Sequence, residues 1–266
     1  MRRLALLLFA IVAAAPGRTA ELRLITAELP PYTFQIPPAT VSEFPGPGQG
    51  LVQDVVEEMA RRVGHSGTIE YMPWARAQQI AMTEPNVGIL SLTRSPERED
   101  KYRWLVKIVT DDLVLVGGQG VDVSSLDRVK SRPTGVLLRS GAEALLREKG
   151  FTRVEPAPEE WLNAKKLKER RIDAWLAPRL MVIYAMQEVQ GDLGTLNMGE
   201  IVRASDIYLA ASKSLPDAEA AKWEKAFESM KADGSYERIV QKYRGLRATP
   251  IADEARKVPS GPDWTN

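Results

Sequence analysis

A turn able to bind an anion is the first chemistry that the sequence offers. The segment Ser91-Leu92-Thr93-Arg94-Ser95-Pro96-Glu97-Arg98 directly follows an apolar run of strand length. Ser95 before Pro96 predicts the start of a short helix, whose free N–H groups would attract an anion. Thr93 would add a hydroxyl, and Arg98 a two-pronged guanidinium that matches a carboxylate. The alternative is a capped turn in which Arg98 pairs with a surface acid.

A second turn of the same kind lies farther along the chain. The apolar run that starts at Gly135 ends in Arg139-Ser140-Gly141, and Glu143 follows Ser140 by three residues. This spacing predicts a capping box at the start of a helix. The turn is either a second anion-binding helix start or a cap with no further role.

An aromatic residue beside an arginine gives a third candidate. In the segment Tyr71-Met72-Pro73-Trp74-Ala75-Arg76-Ala77, Trp74 would form an apolar wall and Arg76 would bring charge to a ligand. The alternative is a core tryptophan at a helix start, with Arg76 in solvent.

Composition excludes several classes of protein. The chain has 266 residues, with 36 Lys+Arg, 35 Asp+Glu, one His and no Cys. Without cysteine there is no disulfide, thiolate metal site or Cys nucleophile, and one histidine excludes a multi-His metal site. Near-neutral charge argues against a nucleic-acid partner. Neither a Gly-rich phosphate loop nor a Gly-x-Ser-x-Gly motif is present, and no cofactor is expected.

The first 20 residues have the pattern of a secretory signal peptide. Arg2 and Arg3 precede an apolar run from Leu4 to Ala15, and small residues follow. A membrane anchor or a buried helix is the alternative, although the run is short for a bilayer span. Cleavage after Gly17, which puts Ala15 at the third position before the cut, fits the pattern better than cleavage after Ala20, which puts Arg18 there. We therefore expect an exported protein.

Strand and helix patterns alternate along the rest of the chain, which predicts an α/β fold. The run of apolar residues at every fourth position from Leu51 to Val63 predicts a helix that Gly64 ends. The alternation occurs in two runs, so two lobes are expected, followed by a tail at 247–266. Strands are expected at 104–109, 113–116 and 207–211, among other places.

Five segments, taken in sequence order, resemble those of the periplasmic solute-binding proteins of family 3. This is the polar amino-acid type, with the type II fold, that serves bacterial ABC importers. The resemblance runs from about Leu22 to Gly245. Five segments carry it: Leu29-Pro30-Pro31-Tyr32-Thr33-Phe34, Gly50-Leu51-Val52-Gln53-Asp54-Val55, Ser91 to Arg98, Arg171-Ile172-Asp173-Ala174, and Ala232-Asp233-Gly234-Ser235-Tyr236 with Lys242-Tyr243.

The resemblance implies a carboxylate site. The family residues that match Thr93 and Arg98 hold an α-carboxylate, and the one that matches Ser140 adds contacts from the second lobe. Three positions depart from the family pattern. The acid that usually holds the α-ammonium is replaced by Pro178, the stacking aromatic by Leu29, and a frequent Thr by Gly141.

These departures predict a carboxylate ligand without the standard α-amino contact. Tyr32 would substitute for the missing aromatic. Arg179, Arg139 or Arg76 would meet a second anionic group. A different acid, such as Glu28 or Asp206, would restore amine binding.

The resemblance also implies a mechanism. Lobe one would comprise 21–110 and 207–246, and lobe two 111–206, with a hinge near Thr110–Asp112 and Ala204–Asp206. Ligand contacts from both lobes would favour a closed state that a membrane permease recognises. A monomer is expected. The alternatives are a ligand-sensing module and, on the same fold, a dehydratase-like enzyme in which Glu28 or Asp206 acts as acid or base.

Overall fold

The structure, a computed structural model, describes residues 21–35 and 50–243. The expected signal peptide at 1–20 and the expected tail at 247–266 lie outside the described residues. The described residues contain eight strands: β1 (Arg23–Thr26), β2 (Ile69–Tyr71), β3 (Val87–Thr93), β4 (Tyr102–Gly117), β5 (Thr134–Leu137), β6 (Val154–Ala157), β7 (Ala174–Pro178) and β8 (Asn197–Ser212). The α-helices are α1 (Leu51–Val63), α2 (Trp74–Thr83), α3 (Gly141–Glu148), α4 (Glu160–Lys168), α5 (Arg179–Glu188), α6 (Asp217–Ala232) and α7 (Ser235–Lys242).

The strands form one mixed sheet in the order β2-β1-β3-β8-β4-β7-β5-β6. On one side, β1 lies between β2 and β3 and is parallel to both. On the other side, β5 lies between the parallel strands β6 and β7. Parallel neighbours require crossover connections, which the helices supply. The α/β fold predicted from the alternating pattern is therefore confirmed.

Two long antiparallel strands connect these halves. β4 and β8 each have 16 residues and run side by side through both halves. Thr110 pairs with Asp206, Asp111 with Ser205 and Asp112 with Ala204. The sequence prediction was wrong in two ways here: it divided β4 into two strands, and it recognised only the last third of β8. The first part of β8 is half-exposed and polar, so pairing with β4, rather than its own pattern, makes it a strand.

The apolar residues form three clusters. The largest packs α1 and α6 against β1, β3 and β8, and α1 ends at Gly64 as predicted, with φ of 72°. Two further clusters lie in the other half. Leu137 and Met181, which come from that other half, pack within the largest cluster. The two halves are thus in direct contact, and their contact surface encloses the site described below.

Within 21–35 and 50–243, none of the helices combines the length and the hydrophobicity that crossing a bilayer demands.

Candidate functional site

A cavity of about 60 Å³ lies between the two halves, where β3, β5, β7 and β8 meet the start of α3; we call it the first cavity. It contains eight of the eleven residues proposed from the sequence and nine others. Its lining is Leu29, Tyr32, Trp74, Ser91, Thr93, Arg98, Leu113, Leu137, Ser140, Gly141, Ala142, Glu160, Pro178, Met181, Arg203, Ser205 and Ile207.

Two hydroxyl-bearing residues of β3, Ser91 and Thr93, line the first cavity at an irregularity in the strand. The register of β3 against β8 shifts between Ile89 and Leu92, and Ser91 has a φ of +61°. This conformation is uncommon for a residue with a side chain, and such strain is concentrated at functional sites. Ser91 and Thr93 lie two residues apart and both line the cavity. The Oγ of Ser91 is buried and has no hydrogen-bond partner among the described residues.

Arg98 follows this strand in a short 3₁₀ helix, Pro96–Arg98, and is only 9% exposed. Its guanidinium donates to the Gln78 side chain at 2.9 Å and to the Thr93 carbonyl at 3.2 Å. It also reaches the carbonyl of Arg139 in the other half, at 3.5 Å. Ser95 is the N-cap residue and Pro96 begins the helix, as predicted, but the Ser95 side chain makes no capping hydrogen bond. Of the residues in this short helix, Arg98 is the one that lines the first cavity.

The second predicted turn is capped as its spacing indicates. The Oγ of Ser140 accepts from the N–H of Glu143 at 3.1 Å, and α3 begins at Gly141. A Cβ on Gly141 would lie 3.4 Å from Nη2 of Arg203 and 3.9 Å from Nη1 of Arg98. Both guanidinium groups therefore converge on the start of α3, whose first N–H groups have no partner within the helix.

Arg203 is the main site residue that the sequence interpretation missed. Arg203, Ser205 and Ile207 all line the first cavity. They lie two residues apart on β8, and alternate residues of a strand share one face. The alternation was a usable signal, but it requires knowing that the strand begins before Ile207.

The charges at this end of the cavity favour an anion. Neither Arg98 nor Arg203 has a carboxylate within 4.0 Å among the described residues. Burial lowers the pKa of Arg98, and the nearby Arg203 lowers it further, whereas Tyr102 and Glu97 raise it. An anion placed between the two guanidinium groups would offset both unfavourable effects. We call Arg98, Arg203 and the start of α3 the anion site.

The cavity wall opposite the two arginines is apolar and is formed by residues from both halves. Leu29, Tyr32 and Trp74 are buried and line the cavity together with Met181. The Tyr32 hydroxyl donates to Asp111, a buried carboxylate that also accepts from the N–H of Leu180 at 3.0 Å. Burial raises the pKa of Asp111, and these donors lower it.

The remaining predicted residues lie elsewhere. Arg76 is exposed and Arg179 is half-buried, and neither lines the first cavity. Arg139 lines a neighbouring groove and contributes its carbonyl to the Arg98 contacts. Asp206 accepts from Thr110 Oγ1 at 2.5 Å beside the paired strands, and Glu28 lines a second cavity.

Glu160, the first residue of α4, is a further acid that the sequence interpretation missed. The residue is 8% exposed and lines both the first and the second cavity. Its Oε2 accepts from the Asn163 side chain at 2.8 Å and from the Trp175 indole at 2.9 Å. Oε1 has no hydrogen bond to a described residue. Burial raises the pKa of Glu160 to about 7.

Replacing Ser91 is expected to weaken ligand binding without lowering the stability of the ligand-free protein. Ser91→Ala removes a buried hydroxyl that has no partner, so the free energy of unfolding without ligand is expected to stay the same or rise by about 1 kcal/mol. Affinity for a carboxylate is expected to fall by about 0.5–1.5 kcal/mol, the net value of one hydrogen bond. Chemical unfolding and calorimetric titration measure the two quantities. A loss of stability with unchanged affinity would show that the hydroxyl serves the fold alone.

Solved structures of other proteins share this fold. An ancestral arginine-binding protein bound to glutamine has a TM-score of 0.69 at 20% identity, covering 85% of this chain and 100% of that one. A substrate-binding protein of an ABC uptake transporter from Streptococcus pneumoniae, with bound histidine, has a TM-score of 0.71 at 18% identity, covering 84% and 92%. A histidine kinase sensor domain with similarity to periplasmic binding proteins has a TM-score of 0.71 at 16% identity, covering 85% and 97%.

Sequence comparison identifies the family. A search of curated proteins finds no match. The family described as bacterial extracellular solute-binding proteins, family 3, matches residues 25–246. The match spans most of the chain and confirms the family inferred from the five segments, so this chain belongs to the bacterial extracellular solute-binding proteins of family 3.

Proposed function

We propose that this chain is an exported solute-binding protein that captures a small carboxylate-bearing ligand, amino-acid-like or an organic acid, and delivers it to the permease of an ABC importer. The observation that carries the proposal is the convergence of Arg98 and Arg203 on the start of α3, with no carboxylate of a described residue within 4.0 Å of either. Two guanidinium groups at a helix N-terminus match a carboxylate in charge and shape. Ser91, Thr93 and Ser205 supply hydroxyls beside it.

Lobe closure is the mechanism that we propose. Lobe one comprises 21–110 and 207–246, and lobe two comprises 111–206, so that the hinge lies where β4 pairs with β8. Arg98 comes from lobe one, whereas Arg203 and Ser140 come from lobe two. A ligand that contacts both lobes has a higher affinity for the closed state and therefore raises its population. The Asp111 carboxylate, which accepts from Tyr32 and from Leu180, supports the same closed arrangement.

Location and partners follow from the family and the N-terminal pattern. The family is extracellular, and the charged and apolar pattern of residues 1–20 supports export to the periplasm by a signal peptide. Both lobes of the site come from one chain, so a monomer suffices for binding. The permease is the membrane partner.

A thermal-shift screen with matched ligands tests the proposal. The panel contains L-amino acids, the corresponding des-amino carboxylates and the corresponding decarboxylated amines. A specific ligand at 100 times its Kd stabilises the protein by about 2.7 kcal/mol. We expect stabilisation by at least one carboxylate and none by the amine that lacks it. Equal stabilisation by the amine would contradict the anion site.

A sensor role is the second candidate, because one similar structure is a histidine kinase sensor domain. Both roles use the same closure and differ in the protein that recognises the closed state. Affinity capture on the ligand-loaded protein separates them. An ABC permease among the captured membrane proteins would support delivery, and a sensor kinase in its place would support sensing.

A further inference from the structure

Asp111 is a buried carboxylate on one of the two strands that connect the halves of the molecule. It lies on β4 within the proposed hinge, opposite Ser205 of β8, and is 7% exposed. Among the described residues, no lysine or arginine forms an ion pair with it. A buried carboxylate without a cation beside it costs free energy whenever it is ionised.

One oxygen of Asp111 connects the two proposed lobes. Its Oδ2 accepts from the hydroxyl of Tyr32, in lobe one, and from the N–H of Leu180, in the first turn of α5 in lobe two, the latter at 3.0 Å. Opening of the lobes moves these two donors apart, so Oδ2 can keep at most one of them and water can reach the carboxylate. Closure therefore buries Asp111, and opening hydrates it.

The closed arrangement changes the affinity of Asp111 for a proton. Burial raises its pKa above the ordinary 3.8, and the negative charge of the neighbouring Asp112 raises it further. The hydroxyl of Tyr32 and the N–H groups of Leu180 and Asp112, the last at 2.8 Å, oppose this change in pKa without cancelling it. A neutral carboxyl keeps both contacts of Oδ2, because the proton can reside on Oδ1.

Other charged residues lie on the elements around Asp111 but do not pair with it. Arg179 starts α5, and Arg203 on β8 lines the first cavity. Neither forms an ion pair with Asp111. The remaining charged residues on the neighbouring stretches pair with each other or line the second cavity, and they are Lys107 with Asp206, Glu28 and Glu188. The ionised carboxylate therefore depends on its hydrogen bonds alone.

The sign of the pH effect follows from the two states. In the open state the carboxyl is hydrated, and its pKa is expected near the ordinary value. At a pH above the closed-state pKa, closure must bury a charge. As pH falls through that pKa, proton binding removes this cost, so the closed state becomes more populated. Ligand affinity is expected to increase with it, because the ligand binds the closed state.

We propose that Asp111 couples lobe closure to protonation, so that this protein holds a carboxylate ligand more tightly at acidic than at alkaline pH. The proposal rests on the proposed function, in which closure is the step that binds the ligand. Asp111 itself does not line the first cavity. It acts through the equilibrium between the lobes and not through contact with the ligand.

Asp111→Asn tests the coupling, because it removes the charge and keeps an oxygen that accepts from Tyr32 and Leu180. The probe is the tightest-binding L-amino acid or des-amino carboxylate of the thermal-shift screen, titrated calorimetrically into the whole protein from pH 5 to 8. The affinity of the variant relative to wild type is expected to increase severalfold from pH 5 to pH 8. Ionisation of the probe affects both proteins alike and cancels in this ratio. Asp127→Asn, at an exposed position of lobe two, is the matched control and is expected to follow wild type.

Tyr32→Phe is expected to change the pH profile in the opposite direction and leaves the hinge strand unaltered. It removes a donor that stabilises the ionised carboxylate in the closed state, so its affinity relative to wild type is expected to fall as pH rises from 5 to 8. A purely structural role of Tyr32 or Asp111 would change affinity by the same factor at every pH.

Proton uptake gives a second readout, from titrations in two buffers of different ionisation enthalpy. Over the same pH range, the wild type is expected to take up more protons on binding the probe than Asp111→Asn does. Affinity ratios that stay constant with pH, with equal proton uptake in both proteins, would overturn the coupling and leave the proposed function intact. Failure of the wild type to bind any carboxylate of the screen would overturn both.

Discussion

Arg98→Ala is expected to weaken carboxylate binding by about 2–5 kcal/mol, or roughly 30- to 4,000-fold, because it removes one partner of a buried charge pair. Arg98 is 9% exposed and faces the start of α3 together with Arg203. Arg98→Lys keeps the charge and loses the two-pronged geometry, so its affinity is expected to fall between wild type and alanine. Calorimetric titration with the ligand selected by the screen measures both losses.

Arg94→Ala is the matched control for this prediction. Arg94 lies in the same turn, is exposed, and pairs with Glu99 outside the cavities. Its removal is expected to leave affinity within about twofold of wild type, since exposed ion pairs contribute little. Wild-type affinity in Arg98→Ala, with an unchanged unfolding midpoint, would contradict the anion site.

Glu160 is expected to make stability fall as pH rises. Burial raises its pKa from 4.5 to about 7, so between these pH values the folded protein binds more protons than the unfolded chain. The free energy of unfolding therefore decreases as pH rises through this window, at up to about 1.4 kcal/mol per pH unit for one group. The total is on the order of 3 kcal/mol by the same relation. Urea unfolding of the ligand-free protein from pH 4.5 to 8 measures this slope.

Glu160→Gln isolates the contribution of this group, because glutamine can accept the same bonds from Asn163 and Trp175 without a charge. Its stability relative to wild type is expected to be lowest near pH 4.5 and to increase up to pH 8. For the control Glu224→Gln, an exposed residue of α6, the free energy of unfolding is expected to change with pH as it does in wild type over the whole range. Parallel curves for Glu160→Gln as well would show that this carboxyl titrates normally.

The first helix and the two turns could be predicted from the sequence because their signals are local. The apolar stripe of α1 and its end at Gly64 require only neighbouring residues. The Ser140 cap follows from its spacing to Glu143. The first part of β8 could not be predicted in this way, since its polar residues become a strand by pairing with β4, which is distant in sequence.

The same distinction between local signals and long-range pairing applies to the residues of the site. Ser91, Thr93 and Arg98 belong to one segment whose residue types already indicate a carboxylate, and they lie together in the first cavity. Arg203 depends on the register of β8. Glu160 starts a helix whose pattern gives no sign that its first residue faces inward. Both positions depend on the sheet order, which places β8 and β4 between the halves, and a single sequence does not contain that order.

A crystal structure of the protein with its ligand tests the central claim most directly. The account predicts that the ligand carboxylate lies between Arg98 and Arg203, with its oxygens about 3 Å from guanidinium nitrogens and from N–H groups at the start of α3. Its apolar part would lie against Trp74 and Tyr32. A carboxylate bound elsewhere, or a neutral group between the two arginines, would contradict the account.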